Sequence, residues 1–239
     1  MNDESSLAPK SEASGSALLG NGAVIVWNDV VDEGREQFYA WHDKEHIPER
    51  LGIPGFRRGR RYLARGQTPE WLTMYEADDL SVVTSPAYIA RLNAPTPLTT
   101  ATLKYFRNTS RAVCRLVHSL GSSTGGYMLA LRVSVPSDQT DAFREYIARV
   151  AFPLAMEANG VVACHLFASD DKASFVDTAE SKTRAFDVPS WVVLCEATLR
   201  DAADNARKRI DGGAFAGLQA EVRPDGGLYA LEICRLSSQ

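Results

Sequence analysis

FYAWHDKEHIPERLGIPG, residues 38–55, decides how this chain is read, because FREYIARVAFPLAMEANG at residues 143–160 repeats its frame. Phe38 aligns with Phe143, Pro48 with Pro153 and Gly55 with Gly160, all at a spacing of 105 residues. A second block follows in the same order at a spacing of 120: Trp71 with Trp191, Glu76 with Glu196, and Cys114-Arg115-Leu116 with Cys234-Arg235-Leu236. Identity between the copies is low. Two blocks in one order, each at a constant offset, nevertheless indicate an internal duplication. The difference between the spacings is 15 residues and falls in the polar stretch 169–189 of the second copy. A charged surface loop, outside the core, is expected there.

Within each copy the hydrophobic pattern predicts strand–helix–strand twice. Residues 23–27 are a short apolar run suited to a strand. Residues 32–51 place Phe38, Trp41 and Ile47 on one helical face, with Asp32 as a candidate cap and Ile53-Pro54-Gly55 as the stop. Residues 56–64 and 71–77 read as strands around a polar hairpin loop, 81–93 as a weaker helix closed by Pro95 and Pro97, and 108–117 as the last strand. The second copy gives strands at 127–135, 161–168, 191–197 and 228–236 and helices at 139–159 and 200–210. The expected fold class is α+β. Two fused ferredoxin-like β-α-β-β-α-β repeats, at 23–117 and 127–236, are joined by a Ser/Gly linker at 118–126. Their antiparallel sheets face each other and form an α/β barrel within one chain, which removes exposed edges. Residues 1–22, rich in Ser, Ala and Gly, read as a disordered tail.

The chain has 239 residues, 45% hydrophobic and 23% charged, which is ordinary globular composition. Its net charge of −4 argues against a nucleic-acid partner, which needs a basic surface. No apolar run approaches the roughly 20 residues that span a bilayer, and the N-terminus lacks the apolar core of a secretory signal, so no membrane partner is expected. Cys114, Cys164, Cys195 and Cys234 form no CxxC pair and lie in apolar runs. They read as buried free thiols of a cytoplasmic protein.

At Phe38, Trp41, His46, Pro48 and Pro54-Gly55 the sequence resembles the EthD-like branch of the dimeric α/β-barrel superfamily. Its members often carry an aromatic-rich helix ending in a His-x-Pro element and a Pro-Gly turn; here that element is His46-Ile47-Pro48. The resemblance covers most of residues 23–117, and reaches 127–236 only through the repeat. It implies a fold more than a reaction, since the superfamily includes cofactor-free monooxygenases, muconolactone-type isomerases, haem enzymes and ligand-binding regulators.

His42 and His46 are the candidate catalytic residues. They are two of only four histidines, and their i, i+4 spacing puts both imidazoles on one helical face, where they could supply a general acid and a general base. The bland alternative is a pair of surface or helix-end histidines. In the second copy the same positions hold Ile147 and Ala151, so one site per chain is expected, in the first copy. His42 to His46 also fits H-x-x-E-H, but a zinc peptidase needs a third ligand that is not evident here, so no metal is expected. Arg57, Arg58, Arg60 and Arg61 follow the Pro-Gly turn. Arg58 and Arg60 share one strand face and could hold a substrate carboxylate; a charged edge strand or interface salt bridging is the favoured explanation. Tyr62 and Tyr75 are further candidate substrate contacts, although they, with Trp71 and Trp191, also suit a plain core. His165 aligns with Arg60 and could face a pocket, whereas His118 falls in the linker and should be exposed.

Without a Gly-rich phosphate loop, the expected activity is that of a cofactor-independent enzyme acting on a small organic molecule by histidine proton transfer. Isomerisation, lactone chemistry and oxygenation all fit. The alternatives are a non-enzymatic ligand-binding or structural protein, and a haem protein with a histidine ligand. A homodimer is a further expectation.

Overall fold

The structure is a computed structural model and describes residues 16–174, 188–224 and 227–238. In chain order its elements are β1 (Gly22–Val30), α1 (residues 32–51), β2 (Phe56–Leu63), β3 (Trp71–Ala77), α2 (Leu80–Val83), α3 (Pro86–Asn93), α4 (Pro97–Leu103) and β4 (Phe106–Leu120). There follow β5 (Tyr127–Ser134), α5 (residues 137–156), β6 (Val161–Ser169), α6 (Asp171–Ser174), β7 (Trp191–Ala197), α7 (Arg200–Asp211), α8 (Ala214–Gly217), β8 (Glu221–Val222) and β9 (Gly227–Leu236). Eight strands pair antiparallel in the cyclic order β7-β6-β4-β1-β3-β2-β9-β5, and the β5–β7 pairing closes the barrel. The short β8 attaches to β5 at Val133 and Ser134.

Because side chains alternate along a strand, each strand feeds two cores. Ala23, Ile25, Trp27, Tyr62, Met74, Phe167, Leu194 and Tyr229 fill the barrel interior. The opposite faces carry the helices. Over the second half, α5 and α7 pack in one continuous apolar cluster that includes Phe143, Ile147, Phe152 and Ile210. Over the first half the apolar packing divides into two clusters, one around Ile47, Phe56, Tyr75 and Tyr88 and one around Phe38, Trp41, Trp71 and Leu103. The candidate histidines lie where these two meet.

Strand register relates the two halves closely. Ala23 opposes Glu76 and Met128 opposes Glu196; Arg58 opposes Glu76 and Ala163 opposes Glu196. These pairs agree with offsets of 105 and 120. The last strands do not. Ala23 opposes Cys114, but Met128 opposes Tyr229, so the structural offset there is 115. Cys114-Arg115-Leu116 and Cys234-Arg235-Leu236 are thus not equivalent in space. Their match slips by five residues, and Cys234 is exposed rather than buried.

Helix α1 opens with a 3-10 turn at Asp32–Gly34 and continues to Leu51. Asp32 does not cap it; its carboxylate takes Arg35 Nε at 3.0 Å instead. Mid-helix, His42–His46 form a π-helical turn in which the Ile47 N–H reaches the His42 carbonyl. The same turn occurs in α5 at Ile147–Ala151. Pro48 and Pro153 supply the reason: proline has no N–H to give and its ring crowds the carbonyl four residues back, so the preceding turn widens. The turn that follows each helix, leading into β2 or β6, ends at a glycine in the left-handed region, Gly55 at φ +93° and Gly160 at φ +94°.

Other expectations need correcting. Residues 16–21 are packed rather than a disordered tail, since the Ala17 carbonyl takes Arg58 Nη2 at 2.8 Å and the Leu19 N–H goes to Glu76 at 2.9 Å; residues 1–15 lie outside the described residues. Helix 81–93 breaks at Ser85, which caps a new start at Pro86, and Pro97 opens α4 under a Thr96 cap. The expected linker begins late: β4 runs to Leu120, and His118 within it is half-buried, stacked on Phe152 at 5.9 Å. Within the expected loop 169–189, Ala173 joins the first-half core and Ser174 is fully buried, its Oγ accepting the Val113 N–H at 2.9 Å. The charged residues 177–184 of that loop lie outside the described residues.

Candidate active site

The widened turn of α1 brings His42 and His46 into a stack, ring centroids 5.7 Å apart. His42 is buried between His46 and Phe38, whose centroid lies 5.1 Å away. Its Nδ1 lies 2.9 Å from Arg61 Nη1 and its Nε2 lies 3.2 Å from the Tyr75 hydroxyl. A guanidinium can only donate, so Nδ1 is the bare nitrogen and Nε2 carries the proton, which it donates to the Tyr75 oxygen. Burial, and then the charges of Arg61 and Arg50, push the His42 pKa well below its ordinary value of 6.5. His42 is therefore a fixed neutral imidazole near pH 7.

Arg61 is itself anchored. Its Nε donates to Glu232 at 2.9 Å, its Nη1 to Asp43 at 2.5 Å, and its guanidinium lies 4.6 Å from the Tyr39 ring centroid. Tyr39 in turn donates to Glu232 at 2.8 Å. Glu232 comes from β9, so the second half of the chain helps to orient His42.

His46 is half-buried, packed against Trp41 at 4.2 Å between centroids. It lines a cavity of about 40 Å³ with Arg50, Tyr75, Tyr88 and Arg111, over a base of Val24 and Val26. Arg111 Nη2 donates to the Tyr88 hydroxyl and Nη1 to the Ser174 carbonyl, both at 3.1 Å, while Arg50 lies 5.7 Å from the centroid of the Tyr88 ring. The volume is far below the roughly 300–1,000 Å³ of sites that enclose a drug-sized ligand, and suits a group of a few heavy atoms.

Of the residues singled out in the sequence, the structure brings His42, His46 and Tyr75 together. Arg58, Arg60 and Tyr62 it does not. They lie on the other face of β2, inside the barrel. Arg58 forks onto Glu76 at 2.8 and 2.9 Å. Arg60, fully buried, bridges Glu76 at 2.9 Å and Glu196 at 2.8 Å. Tyr62 is fully buried beside Arg60, and burial pushes its hydroxyl pKa up. Strand alternation explains the separation, since Tyr75 points toward the helices and Glu76 into the barrel. His165 also faces the interior, with Nδ1 2.9 Å from Ser119 Oγ and Nε2 3.4 Å from Glu196. Burial alone would raise the Glu196 carboxyl, but His165 and Arg60 hold it at about 2.

Sequence reasoning missed Arg50, Tyr88 and Arg111. Arg50 carried a signal, because it stands four residues after His46 on the same helix. Arg111 joins through its pairing with Val26, and Tyr88 through the packing of α3, neither of which local periodicity reveals. In the second half the positions of His42, His46, Arg50 and Tyr75 hold Ile147, Ala151, Ala155 and Cys195, all fully buried in the apolar cluster. A larger groove of about 660 Å³ opens beside His118 and α5. Its charged rim is self-paired and partly or fully exposed, Arg144 with Asp141 at 3.1 Å and Arg149 with Glu145 at 3.3 Å, as on a solvated surface. Among the described residues no group of three or more His, Cys, Asp or Glu could hold a metal ion, and no helix is long and apolar enough to cross a membrane.

No family model and no curated protein matches the sequence. Solved structures do match in shape. An anthrone oxidase-like protein superposes with a TM-score of 0.66 at 10% identity, over 94% of this chain and 96% of that one. The fold is that of the dimeric α/β barrels. A "putative monooxygenase" from Fusobacterium nucleatum subsp. nucleatum (TM-score 0.52, 11% identity, 92% and 95% of the two chains) and a chlorite dismutase mutant from Candidatus Nitrospira defluvii (0.56, 10%, 92% and 93%) share it. At such identities the likeness is one of fold.

Proposed function

We propose that this protein is a cofactor-independent enzyme of the EthD-like type, built from two fused copies of one α/β unit. In this reading His46 in the first half transfers protons on a small organic substrate. The observation that carries it is the asymmetry of the two helix–sheet layers. The wide π-helical turn is present in both, but only the first presents an imidazole to a cavity of mixed polar and apolar lining. The second fills the same positions with apolar side chains. The anthrone oxidase-like and monooxygenase neighbours support oxygenation as the reaction class. His46 would take a proton from an activated methylene, and dioxygen would capture the resulting carbanion. Methylene plus dioxygen gives carbonyl plus water, which balances without an external reductant. His42, held neutral, would orient Tyr75 instead of exchanging protons itself.

A haem does not fit beside His46: the cavity is about 40 Å³ and the imidazole is already packed on Trp41. The four free cysteines suit a reducing, cytoplasmic setting. A homodimer remains part of the proposal, and light scattering against the 26.1 kDa chain mass decides it.

The test is oxygen uptake with a panel of enolisable ketones and anthrone-type compounds. Uptake that needs the wild-type protein and disappears in His46→Ala is expected. Uptake that persists unchanged in His46→Ala, or that accompanies a Soret band in the purified protein, overturns the reading.

A further inference from the structure

We propose that Cys164 and Cys195 form a redox modification site, two buried thiols that join as a cross-strand disulfide when the protein meets a peroxide. The geometry of β6 and β7 carries this, independently of the role proposed for His46.

Cys164 and Cys195 stand directly opposite each other on β6 and β7, with Sγ 2.9 Å from Sγ. Directly opposed residues of an antiparallel pair have Cα atoms about 4.5 or 5.5 Å apart, and both values fall within the roughly 4.4–6.8 Å that a disulfide spans. With the sulfurs already face to face, bond formation needs a side-chain adjustment and no movement of the strands. The duplication explains why two thiols meet here. Their first-half counterparts are Gly59 and Tyr75, also opposed in register, where a Cβ on Gly59 would lie 3.3 Å from the Tyr75 ring. One large ring there takes the space its partner gives up. In the second half two small side chains share it, both fully buried in the apolar cluster with Ile147, Ala151 and Leu166. The other two cysteines are placed differently: Cys114 Sγ lies 3.7 Å from Ser169 Oγ, and Cys234 is exposed.

Burial, with Cys164 beside it, pushes the Cys195 thiol well above its ordinary pKa, so Cys195 is a neutral thiol near pH 7 and reacts slowly. Hydrogen peroxide converts one thiol into a sulfenic acid with release of water. The neighbouring thiol then attacks that sulfur, the S–S bond forms and a second water leaves. Two thiols and one peroxide thus give one disulfide and two waters; the thiols lose two electrons and two protons, and the peroxide is reduced. The second step takes place at contact distance, so it outruns further oxidation of the sulfenic acid.

The test treats the full-length protein with hydrogen peroxide, with and without sub-denaturing urea to admit the oxidant. Remaining thiols are alkylated after complete denaturation, and the peptides are mapped by mass spectrometry. A peptide pair joined through Cys164 and Cys195, two hydrogens lighter than the sum of its parts and released by dithiothreitol, is expected. The oxidised protein should melt several degrees higher than the reduced one, because the link closes the chain between the two strands, and dithiothreitol should reverse the shift. Cys164→Ala and Cys195→Ala should each abolish the joined peptides and the shift; the wild-type peptide map decides alone should a variant fail to fold. Alkylation of both thiols under both conditions, their conversion to sulfinic acid without a link, equal linkage of either one to Cys114 or Cys234, or an oxidised protein that melts no higher than the reduced one overturns the proposal.

Discussion

His46 and His42 share a helix turn, a stacked contact and a residue type, yet their surroundings assign them different work. His46 meets the cavity; His42 is sealed beneath it with both nitrogens committed. If the proposed activity is present, His46→Ala should lower kcat by roughly 10²-fold or more, as for loss of a general base, with circular dichroism unchanged. His42 leaves a different trace. Its folded pKa lies below its unfolded value, so the unfolded chain binds the extra proton first. The stability His42 contributes is complete above about pH 6.5 and is lost as pH falls below it, by up to about 1.4 kcal/mol per pH unit. Urea midpoints from pH 7.5 to 5 should therefore slope downward, and His42→Asn should flatten that slope.

At the scale of elements, the turns after α1 and α5 each end on a glycine that no other residue replaces cheaply. Gly55→Ala and Gly160→Ala should each cost about 1–2 kcal/mol from the left-handed backbone alone. Gly55→Ala should cost more, because a Cβ there would sit 2.5 Å from Val82 Cγ2, against 3.1 Å from Ala202 Cβ for Gly160. Denaturant titration of the two variants checks the order. Much of this layer was legible in the sequence. Strands 71–77 and 191–197 match the structure residue for residue, and helix 32–51 is found whole, because alternation and 3.6-residue periodicity are local. The last strand's offset was misread because a three-residue identity, Cys-Arg-Leu, outweighed a register that only pairing with β1 and β5 defines. Of the cleft, the residues on α1 and Tyr75 were visible; Tyr88 and Arg111 were not, since only tertiary packing delivers them. Arg58 and Arg60 share one strand face, as alternation predicts, but which face the helices cover is set by tertiary packing, and theirs is the barrel interior, away from His46.

Across the whole molecule, one residue ties the halves together by charge inside the barrel. Arg60 on β2 spans Glu76 of the first half and Glu196 of the second, and each carboxylate also accepts a main-chain N–H from the segment that precedes β1 or β5, Leu19 and Gly125, both at 2.9 Å. Arg60→Met would leave two buried carboxylates facing each other with less counter-charge, and should cost about 3–5 kcal/mol. The pH dependence should also change sign. In the native protein Glu196 is held at about 2, so its stabilising share is present above its ordinary pKa near 4.5 and is lost as pH falls toward 2. In Arg60→Met a carboxylate raised by burial should instead regain stability on acidification. Chemical denaturation at pH 7 and pH 4.5 distinguishes the two slopes.

The wide turn in α1 makes the cleft depend on chain length as much as on chemistry. An α-helix advances about 100° per residue, so a helix lacking Lys44, an exposed residue outside the cavity, would close to ordinary pitch. The missing residue would be taken from the turn itself, whose side chains would be redistributed around the helix. His42 and His46 would then stand three residues apart rather than four, with Arg61 and Tyr75 no longer aligned on a single imidazole. Loss of one codon could silence the cleft while every side chain it uses remained in place. Conversely, transplanting the histidines onto α5, which already carries the wide turn, is a shorter path to a second working site than building one on a regular helix.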